Sequence, residues 1–238
     1  MDIISACNMN LSYKNKVIFD NANISIPWGS ITGLLGANGT GKTTFFDVIC
    51  GLKNLSGGSI CKKFSNLIYL SQTLSMPATL KMSDIYHLVA ILSSSAPSCA
   101  KNTFEKLEKW SPQALDRYLY MWNKKPAICS YGEIRSFFAL SLLTLTADLI
   151  ILDEPTAGVD PEFRYLIWLC IQEARANGAT ILVSSHDVQE IAKNTDAFYM
   201  IAQKKFSNFQ SDIDYMQHFH ASTLDEAFIK ATSLPHSS

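Results

Sequence analysis

Two stretches of this chain hold residue types that together do phosphate chemistry. The first, Gly36-Ala37-Asn38-Gly39-Thr40-Gly41-Lys42-Thr43, fits the pattern G-x-x-x-x-G-K-[ST]. Its glycines let successive backbone N–H groups converge on phosphate oxygens, and a helix starting at the loop adds the positive end of its dipole. In such a loop Lys42 reaches the β- and γ-phosphates, and the Thr43 hydroxyl can ligate Mg²⁺. The second stretch, Asp148-Leu149-Ile150-Ile151-Leu152-Asp153-Glu154-Pro155, is an apolar run ending in two adjacent carboxylates. There Asp153 can hold Mg²⁺ through water, while Glu154 can polarise or position an attacking water. The plainer alternative is a carboxylate pair capping the turn at Pro155.

Such groups must be presented by rigid elements, and the flanking residues supply them. The apolar run Ile31 to Leu35 reads as a strand entering the phosphate loop, and Thr44 to Ile49 reads as a helix ending near Gly51. A strand buried on both faces is a continuous apolar run, as at Leu149 to Leu152. Gln72 follows the strand-like Leu67-Ile68-Tyr69-Leu70-Ser71 and offers a neutral amide to Mg²⁺ or water; a surface loop glutamine is the competing reading. His186 follows Thr180-Ile181-Leu182-Val183, at a strand end where a neutral imidazole can donate to a γ-phosphate oxygen, although a lone histidine is more often structural. Tyr13 can stack its ring on a base, or be an ordinary surface strand residue.

With these pieces in order, the chain resembles the nucleotide-binding subunit of an ATP-binding cassette (ABC) transporter, over about residues 3 to 230. Ser130-Tyr131-Gly132-Glu133, after Cys129, resembles the signature written L-S-G-G-Q. Ala157-Gly158-Val159-Asp160 resembles the D-loop, and Ser184-Ser185-His186-Asp187 the switch-histidine segment. The resemblance implies ATP contacts from Tyr13, from the loop Gly36 to Thr43 with Thr44, and from Ser130 and Gly132. It implies Mg²⁺ at Thr43, Gln72 and Asp153, and catalytic roles for Glu154, His186 and Gln72. Ser130 and Gly132 are expected to reach the γ-phosphate held by an opposing subunit. The signature departs from the family at Cys129 (for leucine), Tyr131 (for the first glycine) and Glu133 (for glutamine). Glycine permits close backbone approach, so Tyr131 implies a side chain turned away from the nucleotide.

Composition fits this reading. The net charge is −1 and the sequence pI about 6.5, so no basic footprint for nucleic acid is present. Six cysteines are scattered without C-x-x-C spacing, as free thiols of a reducing compartment would be. The longest apolar stretch, Phe137 to Leu152, is broken by Asp148 and several hydroxyls, which argues against a membrane span. His218 and His220 flank Phe219 near the tail without a metal-site spacing.

Short strands are expected up to about residue 35, at Asn10 to Tyr13, Val17 to Phe19, Ile24 to Ile26 and Ile31 to Leu35; strands and helices then alternate, which implies a parallel sheet covered on both sides. Ser83 reads as the cap of a helix with Ile85, Leu88, Val89 and Leu92 on its core face. A serine-rich break spans Ser93 to Ser98, and further helices follow around Phe104 and Leu107, from Ser111-Pro112, from Glu133 to Leu145 and from Pro161 to Ala176. The expectation is one α/β domain of 238 residues with a P-loop NTPase core at 1–72 and 145–238. Its N-terminal strands are antiparallel, and a small helical, signature-bearing lobe spans 73–144.

The resemblance further implies a second cassette as partner, most simply a homodimer, and a separate integral membrane permease at whose cytoplasmic face the chain sits. Pro155 to Pro161, Arg164, Trp168 and the tail Leu224-Asp225-Glu226-Ala227-Phe228 resemble cassettes of ABC-2-type exporters. The alternatives are a non-transport ABC ATPase acting on a ribosome or DNA complex, and a regulatory cassette without turnover. One cassette without a heptad insert argues against the former, and Asp153-Glu154 with His186 against the latter.

Overall fold

The computed structural model describes residues 1–13, 16–93 and 100–233. Its strands are β1 (Asp2–Tyr13), β2 (Lys16–Pro27), β3 (Ile31–Leu35), β4 (Gly57–Lys62), β5 (Leu67–Leu70), β6 (Leu149–Asp153), β7 (Thr180–Ser185), β8 (Ala197–Ala202) and β9 (Lys205–Phe209). Its helices are α1 (Lys42–Ile49), α2 (Met82–Leu92), α3 (Ala100–Trp110), α4 (Pro112–Trp122), α5 (Tyr131–Thr144), α6 (Pro161–Ala176), α7 (Val188–Asn194), α8 (Asp212–His218) and α9 (Leu224–Ser233). Parallel and antiparallel strand pairs interleaved with helices make this a mixed α/β fold. The chain divides into two compact units, Met1–Phe64 with Leu182–Ser238, and Ser65–Ile181.

In the first unit β1 pairs antiparallel with β2 and β4. Ala22, Ile24 and Ile26 are buried and alternate with exposed Asn21 and Asn23, the pattern of a sheet with one face on the core. The expected short strands Val17–Phe19 and Ile24–Ile26 are parts of one strand. The polar Asp20-Asn21 between them forms a bulge: the register shifts between Met9 and Leu11, and Asn21 takes φ 52°. β3, buried at all five residues, pairs in parallel with β8, which pairs antiparallel with β9.

In the second unit β5 and β6 pair in parallel, from Leu67 opposite Leu149 to Leu70 opposite Leu152. Every residue of β6 is buried, as its uninterrupted apolar run predicts. The helices meet at an aromatic cluster in which the Tyr118 and Phe137 rings stack at 4.4 Å. Buried hydroxyls are paired: Tyr118 with Ser141 at 2.8 Å, Tyr86 with Thr103 at 2.6 Å. Helix starts follow their caps. Ser111 accepts from Ala114 N ahead of Pro112, and Asp160 from Phe163 N ahead of Pro161.

Two expectations for α2 meet differences. Ser83 does not cap α2; it is buried in the first turn, and Asp84 Oδ2 instead accepts from Lys81 N at 3.0 Å. The α2 stripe is split, since Ile85 and Tyr86 are buried while Leu88, Ile91 and Leu92 are exposed. The serine-rich break falls largely at 94–99, outside the described residues. Residues 73–144 contain α2 to α5 and, among the described residues, no strand. The second compact unit carries these helices together with β5, β6 and α6.

Candidate functional site

The phosphate loop links β3 to α1 and is shaped by glycine at defined points. Gly39 and Gly41 take φ of 79° and 115°, a region costly for side chains. At Gly41 a Cβ would also lie 2.7 Å from Ile18 Cγ2 and 3.1 Å from the Phe19 ring, so this position is glycine on two counts. Gly36 is buried, and a Cβ there would meet Thr40 Oγ1 at 2.7 Å. Thr40 Oγ1 itself donates to Ala37 O at 2.9 Å. Lys42 is buried, and its ammonium folds over the loop to donate to Gly36 O at 2.5 Å and Ala37 O at 3.5 Å. Asn38 and Gly39 form the exposed tip, and Thr43 and Thr44 open α1, Thr43 exposed.

Beside the tip is a cavity of about 670 Å³, lined by Lys16, Val17, Ile18, Asn38, Gly39 and Thr40 on one side and by the Gln203-Lys204 turn on the other. Its volume is within the range of small-molecule sites. A loop with glycine at three points, a lysine held over its carbonyls and a cavity at its tip fit a nucleoside triphosphate. Tyr13, at the end of β1, is exposed, with Lys53 Nζ 5.3 Å from its ring centroid, over a face on which a base would stack. His186 is exposed in the turn between β7 and α7. That turn is fixed by Asp187, which caps α7 through Glu190 N at 3.0 Å, and by Ser185 Oγ, which accepts from Asp187 N.

The second unit presents the carboxylates. Asp153 ends β6 and Glu154 follows; both are buried, and Tyr69 Oη donates to Asp153 Oδ2 at 3.5 Å. Carboxylate and hydroxyl oxygens, as at Asp153 and Thr43, are the donors a hard cation such as Mg²⁺ takes. Glu154 has φ 57°, rare for a residue with a side chain. Such a conformation persists only when its surroundings over-determine it. They do so here. Arg135 Nε donates to Glu154 O and Arg135 Nη2 to Asp153 O, while Ala157 N also donates to Glu154 O at 3.2 Å.

Arg135 is fully buried. Its Nη1 donates to Ser71 O at 3.2 Å and Gln72 O at 3.0 Å, so one guanidinium holds the backbone after β5 and the backbone at the end of β6. Gln72 itself is exposed beyond β5. The sequence reading passed over Arg135, although a signal was there: it is the one charged residue between Ile134 and Leu145, in an otherwise apolar helix.

The signature segment starts α5. Ser130 is exposed and is the N-cap: its Oγ accepts from Glu133 N at 3.1 Å, and Glu133 Oε2 accepts from Ser130 N at 2.7 Å. Glu133 thus closes a reciprocal capping pair with Ser130, a place that glutamate and glutamine both fill. The Ser130 N–H bond, ahead of nearby Lys124, holds the Glu133 carboxyl below its ordinary pKa. At Gly132 a Cβ would lie 2.2 Å from Gly158 O, so this glycine is required by contact with its own D-loop-like turn. Tyr131 lays its ring on Gly158, where an added Cβ would be 3.2 Å from Tyr131 Cδ1. The Tyr131 hydroxyl reaches Gln72 O at 3.1 Å. The side chain is thus engaged by residues of its own chain.

Comparison with known proteins agrees with this geometry. A family model described as ABC transporter matches residues 19–157. The chain belongs to the ABC transporter family. The cassette is 29% identical over 229 residues to Protein McbF of Escherichia coli, covering 94% of this chain and 92% of that protein. It is 31% identical over 191 residues to the zinc import ATP-binding protein ZnuC of Wolbachia sp. subsp. Brugia malayi, covering 79% and 75%. A solved ATP-binding subunit of an ABC transporter superposes with a TM-score of 0.80 at 21% identity, covering 96% of this chain and 99% of that one, which shows a shared fold. The cassette is therefore an ATP-binding, ATP-hydrolysing subunit with the P-loop NTPase fold.

Proposed function

We propose that this cassette powers a separate integral membrane permease by dimerising on ATP and Mg²⁺ and separating after hydrolysis. The observation that carries the reading is the buried Asp153-Glu154 pair with its back-bonded Glu154, in a chain that also holds a complete phosphate loop. Lys42 exchanges loop carbonyls for β- and γ-phosphate oxygens, and the amides of Gly36 to Thr44 bind the remaining oxygens. Tyr13 stacks on the adenine once Lys53 leaves its ring. Thr43, Gln72 and Asp153 would hold Mg²⁺, which would neutralise phosphate charge. Glu154 orients the attacking water and accepts its proton, and His186 donates to a γ-phosphate oxygen.

Ser130 and the Gly132 N–H act on the nucleotide of a second cassette, most simply an identical copy. Residues 73–144 form the helical lobe that carries this signature, with 1–72 and 145–238 as the nucleotide-binding core. Among the described residues no helix is long and apolar enough to cross a membrane. The permease therefore supplies the transport path, and the cassette sits on its cytoplasmic face. The direction we assign is export, on the exporter-like segments at 155–168 and 224–228. ZnuC, a relative named for import, makes import the outcome to exclude.

The test mixes Lys42→Ala with Ser130→Arg chains and compares ATPase activity with each variant alone at equal total concentration, since dimerisation depends on concentration. One composite site of the mixed dimer then carries both defects and the other neither. The reading expects each homodimer to be impaired and the mixture to regain activity. A fully active Ser130→Arg homodimer contradicts the shared site. Co-purification with a membrane protein, and substrate efflux from cells or inside-out loading of vesicles, test the permease and the direction. Sedimentation with ribosomes in place of membranes would favour the non-transport alternative.

A further inference from the structure

Tyr131 stands where the family signature has glycine, and its place in the structure gives it work. Its hydroxyl accepts from Arg135 Nη1 at 3.3 Å and donates to Gln72 O at 3.1 Å. Arg135 donates to the same Gln72 carbonyl at 3.0 Å, and its Nε and Nη2 hold the carbonyls of Glu154 and Asp153. The ring is fixed by Gly158 on one side, and the Arg135 guanidinium carbon is 5.9 Å from its centroid. Two side chains from the first turns of α5 therefore tie the backbone of Gln72 to that of Glu154. No carboxylate is needed: a planar guanidinium with donors on three nitrogens, plus one hydroxyl, satisfies every carbonyl involved.

We infer that Tyr131 and Arg135 are positioning residues, a latch that sets Gln72 against the Mg²⁺-bound phosphates in fixed relation to Glu154. The inference rests on the roles proposed above for Gln72 and Glu154. Neither Tyr131 nor Arg135 touches the nucleotide; they act through the backbone that carries the two catalytic side chains. Misplacing such groups slows chemistry without weakening ground-state binding. The latch also joins the start of the signature helix to Gln72, so movement of α5 carries Gln72 with it. It explains why a tyrosine is compatible with this signature.

The experiment is a double-mutant cycle between Tyr131→Phe and Gln72→Ala, read by steady-state kinetics and by single turnover, which quantifies slow rates. Phenylalanine keeps the ring on Gly158 and removes only the hydroxyl. In the wild-type background Tyr131→Phe should lower kcat about threefold to tenfold, the rate equivalent of one net hydrogen bond, with KM for ATP unchanged. In the Gln72→Ala background the same change should have no further effect. An equal loss in both backgrounds, or no loss in the wild-type one, overturns the latch. Wild-type turnover in Gln72→Ala overturns instead the role of Gln72, and leaves the latch nothing catalytic to position. Arg135→Lys provides an independent arm: a point-like ammonium cannot span the four carbonyls, so it should reproduce the kcat loss in protein that binds ATP normally. Full kcat in Arg135→Lys contradicts the inference.

Discussion

The phosphate loop and the carboxylate pair face the same chemical task, presenting fixed groups to a triphosphate, and are held in different ways. The loop is stiffened by its own residues and near neighbours. Gly39 and Gly41 supply the dihedrals, Thr40 bonds to Ala37, and Lys42 bonds to Gly36. The carboxylate pair is held from elsewhere in the sequence, by Arg135, 18 and 19 residues before the carbonyls it grips. Damage should therefore propagate differently. In the loop, a change should alter binding more than stability. At the carboxylates, removal of the support should alter both folding and turnover.

The largest effect should come from Arg135→Ala. It takes the guanidinium from the carbonyls of Ser71, Gln72 and Asp153, leaves Glu154 O to the Ala157 N–H, and removes the support of the positive-φ Glu154. The expected loss is about 3–5 kcal/mol, read as a lower urea midpoint at unchanged slope. A variant as stable as wild type would erase the contrast between the regions. Gly41→Ala comes next. The added methyl is 2.7 Å from Ile18 Cγ2 at a φ of 115°, so stability should fall by about 1–3 kcal/mol and ATP affinity should fall with it. Unchanged ATP binding would show that the loop conformation is not what holds the phosphates.

The smallest effect sharpens the comparison at the start of α5. Glu133 caps Ser130 N–H with a carboxyl whose pKa is lowered, so its stabilisation is present above the unfolded-state pKa and is lost as pH falls through the lower folded value. The group is partly exposed and screened, so Glu133→Gln should lose less than about 1 kcal/mol at neutral pH. The difference from wild type should vanish in acid. A difference that grows as pH falls would contradict the capping role.

The same contrast explains what the sequence revealed. Gly39, Gly41 and Lys42 are legible because each is dictated by local backbone geometry at fixed spacing. β3 and β6 are legible because burial on both faces makes their runs mostly apolar. Helix α6 begins and ends where expected because Asp160 and Pro161 mark its start. Arg135 was not legible as a support, since its acceptors are main-chain carbonyls that any residue type supplies. The contact of Gly132 with Gly158 O of its own chain, a second demand for glycine beside the role expected toward a partner's phosphate, was not legible either. The long β2 was read as two short strands, because a bulge and a turn share the same polar residues.

The most direct test compares ATP titration and single-turnover rates for Lys42→Ala and Glu154→Gln side by side. Loss of the Lys42 ammonium should weaken ATP binding roughly tenfold to a hundredfold, the value of a charge-assisted hydrogen bond. Glu154→Gln should bind ATP like wild type and turn over about 10²- to 10⁴-fold more slowly. Equal binding defects in the two variants, or wild-type turnover in Glu154→Gln, would contradict the division of labour between a loop that binds and a carboxylate pair that acts.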